Sequence, residues 1–130
     1  MVVKMDKDCL FCKLIKGEID SKIIYEDNLV IACLDAFPNV SGHTLIIPKK
    51  HYTDFTEIDD ELLIHINKVA KELAPKLIDK FNAQAFTLCV NYGESQAIKH
   101  YHLHLLPNYG AKYKTSTILS RDEAYEIYKG

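Results

Sequence analysis

The chain reads as an antiparallel α+β domain, and three patterns predict this. Strand candidates at 22–26 and 29–35 are separated only by Asp27-Asn28, which is hairpin spacing. Apolar residues over 59–82 recur at three and four positions, as one face of a helix requires. Two further strand candidates, 85–91 and 98–106, follow with only the short loop 92–97 between them.

The elements can be justified in order. Leu10, Phe11, Leu14 and Ile15 lie at helical spacing and stop at Gly17, predicting a short helix with glycine just past its end. After the hairpin, 38–42 forms a loop and 44–47 a strand closed by Pro48. The long helix carries Pro75, which predicts a kink. The segment 85–91 is rich in strand-forming Phe, Thr and Val, and 98–106 ends at Pro107. Ser120-Arg121-Asp122-Glu123 has the form of a capping box opening a terminal helix through Tyr128.

Of 130 residues, 48% are hydrophobic and 26% charged, enough apolar content for one buried core without disulfide staples. We expect a single domain over 1–130, with its core at about 8–107 and a tail at 108–130. A net charge of −2 lacks the overall basic field of a protein that binds nucleic acid through phosphate neutralisation. No apolar run approaches the roughly 20 residues of a membrane span, and the first residues lack an apolar signal core. The expectation is a cytoplasmic protein with reduced thiols, no nucleic-acid partner and no membrane partner. Cys33 and Cys89 sit in apolar runs and read as small core residues.

Chemistry concentrates in His100-Tyr101-His102-Leu103-His104. On one strand, side chains alternate faces, so all three imidazoles are expected to point the same way. His100 and His104 would then have Cα atoms about 13 Å apart, too far for an easy shared ion. The row is expected to divide its labour among attack, proton donation and charge stabilisation. His43, at the mouth of another strand, adds a fourth imidazole if those strands are neighbours. Cys9-x-x-Cys12 spaces two thiols by one helical turn, a moderate signal for metal ligands, with chance core thiols as the alternative. His65, mid-helix, reads as an ordinary surface or satisfied histidine, and Lys49-Lys50 as a solvated strand end. Tyr109, Tyr113, Tyr125 and Tyr128 suit a substrate entrance, a dimer contact or simple packing.

The stretch from Gly42-His43-Thr44 to Pro48-Lys49, followed by His100 to Pro107, resembles the histidine triad (HIT) family of nucleotide hydrolases and transferases. The segment from Cys9-Leu10-Phe11-Cys12 to Gly17-Glu18-Ile19 is similar to its bacterial-type members, so the resemblance covers about Asp8 to Pro107. It implies a five-stranded antiparallel sheet with one long and one or two short helices, two sheets joining in a homodimer. It implies that His102 attacks an α-phosphorus to form a nucleotidyl-histidine, with Nδ1–H held by a backbone carbonyl. His104, His43 and Asn91 match its phosphate-contacting groups, and Asp35 its ribose-binding acid. Leu10, Phe11, Leu14 and Leu34 match the walls around the base, and Gln96 the loop glutamine. Cys9, Cys12, His51 and His100 match a Cys₂His₂ set for structural zinc, with no catalytic metal required. The loop from Asn91 to His100 is about two residues shorter than the family pattern, Ser95 replaces a glycine, and Ala97 replaces the serine of the phosphoramidate-cleaving branch.

The expected function is therefore hydrolysis of purine nucleoside phosphoramidates or related adenylated compounds through His102. The rivals are dinucleoside polyphosphate hydrolysis, a catalytically weak nucleotide-binding module, and a metal-dependent hydrolase using the histidine row directly.

Overall fold

The computed structural model describes residues 8–110 and 117–130. Its elements are helix α1 (Leu10–Ile15), strands β1 (Ile23–Glu26), β2 (Val30–Leu34) and β3 (Thr44–Pro48), helix α2 (Asp60–Phe81), strands β4 (Ala85–Cys89) and β5 (Leu103–Asn108), and helix α3 (Arg121–Lys129). The sheet has five strands in the order β1-β2-β3-β5-β4, all antiparallel, so the α+β expectation holds. Tyr113 lies outside the described residues.

Local chemistry explains most element ends. Cys9 caps α1, its sulfur accepting from the Cys12 N–H, and Gly17 takes φ 79° just past the helix while its N–H donates to the Leu14 carbonyl. Asp27 shapes the β1–β2 turn by accepting from the Leu29 and Val30 N–H groups at 2.7 and 2.9 Å. His65 reaches the same carboxylate at 2.7 Å, tying α2 to that turn and confirming it as a satisfied histidine. Helix α2 runs through Pro75 without ending and closes on left-handed Asn82. The capping box of α3 is fully formed between Ser120 and Glu123.

The sheet separates two apolar layers. Val30, Ala32, Leu34, Ile46 and Leu105 face the buried stripe of α2, whereas Ile31, Cys33, Leu45 and Ile47 meet α1. Strand β2 is consequently buried along its whole length, which is why its sequence is continuously apolar.

Three expectations need correction. The segment 98–106 does not form one strand, because β5 starts only at Leu103. Before it, the Tyr101 N–H donates to the Tyr52 carbonyl and the His100 ring binds the Pro48 carbonyl, so neither group extends the ladder. The preceding strand ends at Cys89, which places Asn91 two residues beyond it. Cys89 is only half-buried, since β4 is an edge strand, while Cys33 is a core residue as expected.

Candidate functional site

His102 is buried beside α1, its Nδ1 2.8 Å from the His100 carbonyl. A carbonyl only accepts, so Nδ1 carries the proton and Nε2 keeps its lone pair. The edge of Phe11 packs on the ring at 4.9 Å between centroids, and the His104 ring lies 4.8 Å away on the other side. The carbonyl that fixes this tautomer belongs to His100, two residues earlier.

His104 and His43 come together because β3 and β5 are neighbours in the sheet, as the sequence reading required. His43 Nδ1 accepts the Asn39 N–H at 3.1 Å, so its proton sits on Nε2. That Nε2–H lies 2.9 Å from His104 Nδ1 and 3.4 Å from the Asp35 carboxylate. His104 Nε2 lies 3.4 Å from the Asn91 side-chain nitrogen Nδ2. Burial pushes all three imidazoles below the ordinary histidine range, His104 to about 4, with the neighbouring histidines adding to the effect there. Near pH 7 the site therefore presents neutral rings: one free nucleophilic nitrogen and a relay from His43 to His104.

A cavity of about 260 Å³ opens beside these rings. Leu10, Phe11, Leu14, Leu34 and Asp35 all line it with His102 and His104, so the expected apolar wall and acid are gathered there. Gln96 is not on that wall. It is buried, its amide donating to the Thr53 and Ile98 carbonyls at 2.7 and 3.1 Å, and it fastens the loop rather than facing the cavity. The sequence reading missed Asp20, Ser21 and Arg121, which also line the cavity. Arg121 lies in α3, far along the chain, and no local motif marks it.

On the other side of His102, Cys9, Cys12, His51 and His100 gather with every ligand atom within 4.8 Å of the others. The Cys9 sulfur is 3.2 Å from His100 Nδ1, the Cys12 sulfur 3.4 Å from His51 Nδ1, and the two Nδ1 atoms are 3.1 Å apart. A tetrahedron around zinc with ordinary Zn–S and Zn–N bonds has edges of about 3.3–3.8 Å, so these side chains fit such an ion. His100 Nε2–H donates to the Pro48 carbonyl at 2.8 Å, leaving Nδ1 deprotonated toward the cluster as a metal ligand requires. His100 thus does not join the row with His102 and His104. It leaves the chain before β5 and belongs to this second cluster.

A HIT domain is matched over residues 16–111. An uncharacterized HIT-like protein of Methanocaldococcus jannaschii is 42% identical over 104 residues, covering 78% of this chain and 79% of that one. The chain belongs to the HIT family. Among solved structures, a zinc-bound histidine triad family protein from Mycobacterium smegmatis superposes with a TM-score of 0.84 at 29% identity, covering 94% of this chain and 91% of that one. An adenylylsulfatase of Arabidopsis thaliana is 33% identical over 105 residues, covering 79% of this chain and 53% of that protein. Cys9, Cys12 and α3 lie outside the matched HIT residues. Among the described residues no helix is long and apolar enough to cross a membrane.

Proposed function

We propose that this HIT protein is a nucleotidyl hydrolase working through a covalent nucleotidyl-histidine at His102. The observation that carries the reading is the His102 tautomer: Nδ1–H is committed to the His100 carbonyl, and the ring lines the cavity with Nε2 unprotonated. Nε2 attacks the α-phosphorus of a purine nucleoside phosphoramidate or an adenylated compound, and the bond from phosphorus to the leaving group breaks. Water then attacks the same phosphorus, restoring His102 and releasing the nucleoside monophosphate. The His43–His104 pair and Asn91 hydrogen-bond the phosphate oxygens as charge develops, and Asp35 accepts from the ribose hydroxyls. The adenylylsulfatase relative supports nucleotidyl substrates as a class.

Cys9, Cys12, His51 and His100 would hold zinc in a closed site with no position left for water, so that ion's role is structural, and the attack proposed for His102 requires no catalytic metal. The chain pairs as a homodimer through β4, an edge strand of the sheet, where Leu88 and, just past the strand, Val90 are exposed. The four cysteines form no disulfide among the described residues, which suits the reducing cytoplasm.

Dinucleoside polyphosphate hydrolysis is the second reading, favoured by Ala97, which lines the cavity without a hydroxyl for a leaving amine. Side-by-side kcat/KM values for an adenosine phosphoramidate and a diadenosine polyphosphate decide between them. His102→Ala is expected to abolish turnover of both. Full turnover by that variant sinks the mechanism, and saturable AMP binding with no turnover by the natural protein reduces the chain to a binding module.

A further inference from the structure

The nucleotide cavity has a second polar group that the chemistry above does not use. Arg121 and Asp20 both line it, joined by a 2.9 Å ion pair between Nη2 and the carboxylate. Nη1 also lies 3.5 Å from the Asp20 carbonyl, and Nε is 3.0 Å from Asp122.

Their position follows from the sheet register. On the face that carries the site, His104 of β5 lies opposite Leu45 of β3, which lies opposite Cys33 of β2. Each step between strands is about 4.8 Å, so Cys33 is about 10 Å from His104 across the sheet. The Arg121 guanidinium sits on the Cys33 side: burial pushes that thiol up to about 12, and Arg121 is the cation that opposes the shift. Helix α1 runs the same way. Cys9, before its start, meets His100, Phe11 meets His102, and the chain beyond its end leads through Ile19 to Asp20. With the α-phosphorus at His102 and the ribose at Asp35, the Arg121–Asp20 pair stands where the base ends.

Helix α3 is firmly seated for such a task. Ala124 is buried in the core, Tyr125 and Tyr128 pack against it, and the Leu119 N–H donates to the Ser41 hydroxyl just before the helix. A guanidinium has five N–H donors, and three are engaged here, leaving one on each of Nη1 and Nη2. Guanine offers two adjacent acceptors, O6 and N7, to guanidinium donors, whereas adenine offers N7 beside an N6 donor.

Resting on the proposed nucleotidyl site, we infer that Arg121 reads the base and makes the cavity selective for guanine nucleotides over adenine nucleotides. It is a specificity-determining residue contributed by a helix outside the matched HIT residues.

The test is calorimetric binding of GMP and AMP to the full chain, to Arg121→Met and to Arg121→Lys, with folding checked by thermal melting. The natural protein is expected to bind GMP at least fivefold more tightly than AMP. Arg121→Met should weaken GMP about tenfold and AMP less than threefold. Arg121→Lys keeps the charge but loses the paired donors, so it should share the Met variant's GMP-to-AMP ratio. Equal losses for both nucleotides, an unchanged ratio, or full recovery by lysine would overturn the inference. Should Arg121→Met not fold, the lysine variant alone decides. Turnover with and without His102 is measured separately. A ratio that moves without turnover sinks only the hydrolase reading, and intact turnover with a ratio indifferent to Arg121 sinks only the base reading.

Discussion

Stripping the metal cluster is the perturbation with the largest expected effect on the whole molecule. Its four side chains come from the start of α1 and its cap, from the segment after β3 and from the segment before β5, so one ion would cross-link three places distant in sequence. An ion bound only by the folded chain stabilises it by about 4.1 kcal/mol when free metal is a thousandfold above its dissociation constant. Unfolding entropy of about 2.1 cal/mol/K per residue amounts to about 0.27 kcal/mol/K over this chain, so the melting temperature should drop by about 15 °C on chelation. Differential scanning calorimetry of zinc-loaded and chelated protein, with zinc content measured on each sample, reads this directly. Cys12→Ser should melt with the chelated protein and be insensitive to added zinc. The reasoning is refuted if stoichiometric zinc is removed and melting moves by less than about 2 °C. Activity lost on chelation and restored in proportion to metal, with melting unchanged, would instead assign the ion to the chemistry.

Two further outcomes follow. Gly42 has φ 82°, and a Cβ there would sit 2.7 Å from the Phe81 ring, so Gly42→Ala combines left-handed strain with a clash and should cost about 2 kcal/mol or more in urea unfolding. Because Gly42 precedes His43, that variant should also lose turnover; a stability change below about 0.5 kcal/mol would show that the backbone there is freer than the structure implies. The pH profile tests the neutral imidazoles. Burial lowers the site histidines, so they stay neutral and competent below the ordinary value of 6.5, and the acid limb of kcat/KM should lie under that pH. A limb at or above 7 would mean charged rings in the resting site.

What could be read in advance was chiefly local. The β1–β2 turn rests on Asp27 accepting from the Leu29 and Val30 amides, the α3 start on a Ser120–Glu123 exchange, and the α1 stop on Gly17, each of which is encoded within a few residues. The His43–His104 contact needed one added assumption, that β3 and β5 are neighbours. Where the reading went astray, a distant group had taken over. His100 left the strand because Pro48, Cys9, Cys12 and His51 surround its ring, and Gln96 turned inward because the Thr53 carbonyl accepts its amide. Alternation along a strand carries no trace of such partners. Arg121 was invisible for the same reason: its partner Asp20 sits near the opposite end of the chain, and a lone arginine in a helix resembles any solvated one. The half-exposed Cys89 reflects strand order, since edge position is a property of the sheet and not of the β4 sequence.

The central claim is that His102 becomes covalently nucleotidylated. Intact mass of protein quenched seconds after mixing with a purine nucleoside phosphoramidate, without exposure to acid, tests it most directly when product is counted in the same tube and His102→Ala is run beside it. The account predicts an increase of one nucleoside monophosphate, stable to alkali and labile to acid, on the natural protein only. The same adduct on His102→Ala, or product released at the natural rate by that variant, would contradict it.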